Sequence, residues 1–237
     1  MPNVSTLTIH PNMSQKTIIL GTAHRVNVGG NRSPNGVLRE YRFSREVCKR
    51  LKNELEAEGF QVFIDIEEDH IEGTQSQELI QRRKIVDALC SRFGKANCIY
   101  ISIHVDAAGS TGQWRTAGGW TAYTSRGRTR ADALATCLYE AAQVALAEYA
   151  EQFKTKQKQG FYDAKQKPFR TDYSDNDPDK EAGFYVLTHT VCPAVLTENL
   201  FQDNQADVDF LTSEAGIQAI VQLHKDGIFR FFKHDNE

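Results

Sequence analysis

Residues 16–65 read KTIILGTAHRVNVGGNRSPNGVLREYRFSREVCKRLKNELEAEGFQVFID, and this stretch decides the fold. KTIILG (16–21) is a short apolar run of the kind that forms a buried strand. A loop rich in Gly, Asn, Ser and Pro follows it. From Arg39 onward Phe43, Val47, Leu51 and Leu55 recur every four residues, which predicts a helix, and Gly59 stands where a helix-terminating glycine belongs. FQVFID (60–65) then predicts a second strand. Strand, helix, strand is a βαβ unit, and such units build mostly parallel sheets.

The pattern continues outward. SQELIQRRKIVDALCSRFG (76–94) predicts a helix and NCIYISIHV (97–105) a strand. GGWTAYT (118–124) predicts a further strand, RADALATCLYEAAQVALAEYAEQF (130–153) one long Ala-rich helix, CPAVLTE (192–198) a last apolar strand, and EAGIQAIVQLHKDGIFRFF (214–232) a closing helix. The expected architecture is α/β, a single domain with a twisted, mostly parallel sheet flanked by helices on both faces. Residues 1–15 are expected to be an N-terminal extension and 16–237 the catalytic domain. The polar segment 154–182 is the one irregular stretch, and a loop this long is functional or mobile.

With 237 residues, 40% hydrophobic and 25% charged, the chain has ordinary globular composition. A formal charge of -3 and a pI near 6.2 provide no basic face for a polyanion, so no nucleic-acid partner is expected. No apolar run reaches the roughly 18 residues of a membrane span, so no membrane partner is expected either. The N-terminus lacks the basic-then-apolar pattern of a leader, which a trimmed leader would also explain. Cys48, Cys90, Cys98, Cys137 and Cys192 are odd in number, form no CxxC pair and sit among apolar neighbours, which predicts small buried residues rather than disulfides or a thiolate zinc knuckle.

Ligands of parallel α/β sheets bind beyond the carboxyl ends of the strands. TIIL ends just before His24, CIYISI runs into His104, and PAVL ends two residues before Glu198. Glu40, sixteen positions after His24, sits near the start of the first helix and so on the same edge. Two histidines and a carboxylate from separate elements suit a catalytic zinc, with His24, Glu40 and His104 as ligands and Glu198 as the proton acceptor. Taken singly, each has an ordinary reading: a loop histidine, a core histidine, a carboxylate favoured by a helix dipole, half of a salt bridge. Their joint placement favours the site. His10, His70, His224 and His234 are expected in solvated or capping roles, whereas His189 lies on a loop between apolar runs, where it can line the pocket.

These residues resemble the zinc-dependent N-acetylmuramoyl-L-alanine amidases of bacterial cell-wall remodelling and phage endolysins, over Lys16 to Phe231. In that family a strand leads to a first His ligand and a Glu ligand opens the next helix. An "SIH" segment carries the second His, and a late "PAVL.E..F..N" segment carries the catalytic Glu. Here LGTAH supplies His24, LREY Glu40, ISIHVDA His104 and PAVLTENLFQDN Glu198. Two departures stand out: the family's "GHGG" is TAHR here, putting Arg25 beside the metal, and its "HAN" is HVD, putting Asp106 near the site. Arg25 and Asp106 are expected to pair with one another and, with His189, to touch substrate.

The resemblance implies hydrolysis of the amide between the lactyl group of N-acetylmuramic acid and the L-Ala of the stem peptide, with Zn2+ as cofactor and peptidoglycan as partner. It implies action on the cell wall, in the periplasm or outside the cell. Wall binding is then left to a regulatory partner of unknown identity. Tyr162, Phe169 and Tyr173 of the segment 154–182 are candidates to stack on sugar or peptide, beside the readings of that segment as a lid or a solvated loop. Within enzymes the alternative is a zinc carboxypeptidase-like peptidase, whose usual HxxE pair is absent at His24. Outside enzymes it is a catalytically silent wall-binding module, against which the retained Glu198 argues.

Overall fold

Thr17–Thr22 (β1), Glu40–Ala57 (α1) and Gln61–Ile64 (β2) form the βαβ unit that the opening stretch predicts, with β1 and β2 parallel. Gly59, at φ 92°, takes the left-handed conformation that ends α1, where a side chain would be strained. The computed structural model describes residues 15–26, 28, 30–109 and 112–234. The expected N-terminal extension, apart from Gln15, lies outside them, as do His10 and the side chain of His234.

The remaining elements are Gln75–Phe93 (α2), Cys98–Asp106 (β3), Thr121–Thr124 (β4), Arg130–Ala145 (α3), Ala147–Lys158 (α4), Lys180–Glu181 (β5), Tyr185–His189 (α5), Ala194–Phe201 (β6), Gln205–Leu211 (α6) and Glu214–His234 (α7). One six-stranded sheet runs β2-β1-β3-β6-β4-β5. Its strands pair in parallel except at β4 against β6. The long Ala-rich helix is in fact two, because the chain turns at the fully buried Leu146, a break that no Gly or Pro announces.

Strand alternation sorts the side chains onto two faces. Ile18 and Leu20 of β1, Ile99, Ile101 and Ile103 of β3, and Val195 of β6 join the larger core with Leu51, Leu138 and Phe232 of α1, α3 and α7. Ile19, Tyr100 and Leu196 face the other way, against Val86 of α2 and Val186 and Leu187 of α5. The architecture is therefore the expected sheet with helices on both faces. On the α2 and α5 side β3 presents Cys98, Tyr100, Ser102 and His104 in turn, apolar at one end and polar at the other. All five cysteines are free and buried.

His224 departs from its expected solvated or capping role. It is fully buried, its Nε2 lies 2.9 Å from Thr197 Oγ1 and its Nδ1 2.7 Å from the Ile220 carbonyl. The segment after α4 also departs from a solvated loop. Trp120 N–H donates to the Pro168 carbonyl at 2.9 Å, and Arg170 N–H to the Trp120 carbonyl at 2.8 Å, so residues 168–170 run along the start of β4. Tyr162 lines no groove: it stacks on Phe153 with ring centroids 3.7 Å apart and donates to Asp207 Oδ1 at 2.6 Å. Phe169 packs against the core, and Tyr173 is exposed.

Candidate active site

α1 brings Glu40 to the sheet edge because its first turns are bolted to the ends of β1 and β3. Ser44 Oγ accepts from Ala23 N–H at 2.8 Å and donates to the Ile103 carbonyl at 2.7 Å. The Arg45 guanidinium donates to the carbonyls of Ala23 and His24, both at 3.1 Å, and so fixes the loop that carries His24. His24 itself has φ 38°, uncommon for a non-glycine residue and typical of functional sites where the surroundings hold the backbone.

Three ligand atoms of His24, Glu40 and His104 lie within 4.8 Å of one another, a spread that one metal ion spans. His104 Nδ1 is 3.0 Å from Glu40 Oε1, and His24 Nε2 is 3.6 Å from Glu40 Oε2. Val105 N–H also donates to Glu40 Oε1 at 3.2 Å, and Ser102 Oγ stands 2.9 Å from His104 Nε2. Burial pushes both imidazoles below their ordinary pKa, His104 to about 4 with help from the Arg82 charge, which keeps their nitrogen lone pairs free. Burial raises the Glu40 carboxyl to about 7, opposed by His24 and the Val105 amide. Neutral imidazoles and a carboxylate short of positive charge are the state that a metal cation relieves.

Glu198 stands directly beside His104 in the register of β3 and β6. Its Oε2 is buried with no hydrogen-bond donor. Burial, then the charges of Asp106 and Glu40, raise its pKa well above the carboxylate range, against the pull of Arg170. Beyond this pair the register shifts, Leu200 takes φ 65°, and Asn199 bridges the strands by donating to the His104 carbonyl at 3.0 Å. Trp120 Nε1 donates to Asn199 Oδ1 at 2.9 Å and locks that bridge. The bulge interrupts the ladder where the site begins, and pairing resumes at Asp106 and Phe201.

His24, His104 and Glu198 open into a cavity of about 310 Å³. Gln75, Leu79 and Arg82 of α2 form one wall, and Phe184, Tyr185 and Val186 the other. The expected pairing of Arg25 with Asp106 does not occur, because each side chain is held by other partners. Arg25 donates to the carbonyls of Ile71 and Gly73, and its Nε lies 3.8 Å from Glu78 Oε2. Asp106 pairs instead with Arg170 at 2.7 Å. His189 is outside the cavity lining: it is exposed and stacks on Tyr185 with centroids 4.1 Å apart.

Sequence reading missed several residues of the site. Arg170, from the irregular segment, reaches Asp106 and lies over the Phe201 ring, 4.5 Å from its centroid. Beneath the His24, Glu40 and His104 group Arg82 binds Asp65 at 2.7 Å and Glu78 at 2.9 Å, and Asp65 holds Thr22 N–H at 3.0 Å. Ser102 was legible, since it lies two positions before His104 and strand alternation puts both on one face. For Arg170 the sequence offered no period.

The sequence pattern described as N-acetylmuramoyl-L-alanine amidase matches residues 18–230. The amidase CwlM of Bacillus licheniformis is 49% identical over 53 residues, which are 22% of this chain and 21% of that protein, so the alignment spans about a fifth of its length. The CwlD amidase of Clostridioides difficile, solved with the GerS lipoprotein, superposes with a TM-score of 0.66 at 20% identity, covering 93% of this chain and 100% of that one. Ami1 of Mycobacterium smegmatis superposes with a TM-score of 0.68 at 15% identity, covering 94% and 100%. At such identities the superpositions establish a shared fold, and the family pattern spans most of the chain. The chain belongs to the N-acetylmuramoyl-L-alanine amidase family.

Proposed function

We propose that the protein is a zinc-dependent N-acetylmuramoyl-L-alanine amidase that cleaves peptidoglycan between the lactyl group of N-acetylmuramic acid and the L-Ala of the stem peptide. The observation that carries this reading is the set of three mutually close ligand atoms on His24, Glu40 and His104, set beside a buried Glu198 oxygen that has no donor. Two neutral imidazoles and one carboxylate match the donor set of a catalytic zinc. When bound there, zinc supplies a Lewis acid that polarises the scissile carbonyl and acidifies water.

The chain's own residues do the rest. Glu198 takes the proton of the attacking water and returns it to the nitrogen of the departing L-Ala, a double role that its raised pKa serves. Burial raises that pKa first, and Asp106 and Arg170 act on it from opposite directions. Ser102 and Val105 N–H hold His104 and Glu40 in register. The walls formed by Leu79, Phe184 and Tyr185 accept the stem peptide and shield the reacting groups from bulk water. Such an enzyme works where peptidoglycan is, on the cell wall.

Digestion of purified peptidoglycan with amine labelling tests the reading. New amino-terminal L-Ala, dependent on added zinc, is the expected product. New reducing sugar ends, or free D-Ala without amino-terminal L-Ala, would show a glycosidase or a carboxypeptidase instead.

A further inference from the structure

A second cavity, of about 350 Å³, lies on the active edge. Arg32 and Ser33 of the loop after β1, Ala107 and Gly109 after β3, and Gln202 and Asp203 after β6 line it. β1, β3 and β6 are parallel and end at the edge that holds His24, His104 and Glu198, so all three loops leave the sheet there. Ala107 is three residues beyond His104, which puts it within roughly 10 Å along the chain, at about 3.3 Å per extended residue. The cavity walled by Leu79, Phe184 and Tyr185 is partly apolar, whereas this one has no Val, Leu, Ile or aromatic side chain in its lining.

Asp203 and Ser33 are already engaged there. Asp203 Oδ2 accepts from the N–H groups of Ala108 and Gly109 at 2.9 and 3.0 Å and so shapes the loop after β3. Ser33 Oγ donates to Asn35 Oδ1 at 2.7 Å and accepts from Leu38 N–H at 3.0 Å. Gln202 differs. Its backbone N–H donates to the Asp106 carbonyl at 2.8 Å, which fixes it beside the end of β3. The residue is only 2% exposed, and its Oε1 is buried with no hydrogen-bond donor among the described residues. An unpaired buried amide oxygen costs stability that a leucine of similar size would not. The fold therefore gives no reason for a carboxamide here, whereas a ligand that donates to it does.

The bond cleaved in the proposed reaction joins a peptide through its nitrogen to a lactyl sugar through its carbonyl. With the stem peptide against Leu79, Phe184 and Tyr185, the sugar needs a polar seat of its own on the same edge. We propose that the cavity beside Gln202 binds the N-acetylated sugar that bears the lactyl group, with the Gln202 carboxamide pairing with its acetamido group. An acetamido group has one N–H and one carbonyl, the complement of a carboxamide. Gln202 is then a specificity-determining residue that takes no part in the proton transfers of Glu198. Which sugar occupies the cavity rests on the amidase reading.

The test is calorimetric binding to the full-length chain carrying Glu198→Gln, in the presence of zinc, so that the ligands stay intact. The two ligands are N-acetylmuramyl-L-Ala-D-isoglutamine and the same lactyl dipeptide without its sugar. The sugar-bearing ligand is expected to bind roughly 10- to 100-fold more tightly. Addition of Gln202→Leu brings the two affinities close together. Gln202→Ala answers the same question if the leucine variant does not fold. Equal affinities in the Glu198→Gln chain, a preference that survives in a folded Gln202 variant, or binding of neither ligand overturns the proposal. Failure of the amidase reading shows separately, in the wild type: no release of amino-terminal L-Ala from peptidoglycan, with the Gln202-dependent preference intact, defeats that reading and upholds the sugar site.

Discussion

At the scale of single residues, the site is an arrangement of charges around Glu198. Asp106 and Glu40 raise its pKa, and Arg170 lowers it. Opposite shifts follow from removing either partner of the Asp106–Arg170 pair. Asp106→Asn removes a negative neighbour, so Glu198 ionises more readily and the acid limb of kcat/KM moves to lower pH. Arg170→Gln removes the positive one, and the limb moves to higher pH. Profiles that shift the same way in both variants would exclude this electrostatic account. Two of the proposed ligands and the proposed base were legible, because His24, His104 and Glu198 each end or follow an apolar run. The partners of Arg25 and Asp106 were not, since long side chains choose among carbonyls and carboxylates that only the folded chain brings near.

At the scale of elements, period-two and period-four patterns disclosed β1, α1, β2, α2, β3 and β6, because each buries one defined face. The break at Leu146 and the course of residues 159–179 were hidden, since neither depends on a repeating pattern. That course rests on Gly119. Its φ is 101°, and a Cβ there would lie 2.2 Å from the Lys167 carbonyl oxygen. Gly119→Ala must therefore strain its own backbone and push residues 167–170 off β4, taking Arg170 away from Asp106. Destabilisation of roughly 2–4 kcal/mol is expected by urea unfolding, with activity falling in the fraction that remains folded. A variant within 0.5 kcal/mol of wild type, on the scale of ordinary surface changes, would show that the segment is not held this way.

At the scale of the whole molecule, the sheet has one polar end, and the charged groups buried there and beneath it tie stability to pH. His224 shows the sign. Burial pushes its folded-state pKa down to about 4 from 6.5, so between those values the unfolded chain binds a proton that the folded chain does not. Its contribution is complete above pH 6.5 and lost as pH falls toward 4, on the order of 3 kcal/mol in all. Comparing wild type with His224→Gln at pH 7 and pH 4.5 separates this group from the other acid-titrating ones. The variant should lose less stability on acidification, and an equal loss in both proteins would rule the linkage out. The central claim concerns how the two glutamates divide their work, Glu40 holding metal and Glu198 moving protons. The most direct measurement is zinc content together with release of amino-terminal L-Ala from peptidoglycan, on wild type, Glu40→Gln and Glu198→Gln. The account predicts zinc in wild type and Glu198→Gln but not in Glu40→Gln, and activity in wild type alone, with the Glu198 variant slower by about 10²–10⁴-fold. A zinc-loaded Glu198→Gln that cleaves at the wild-type rate, or a Glu40→Gln that keeps its zinc, would contradict it.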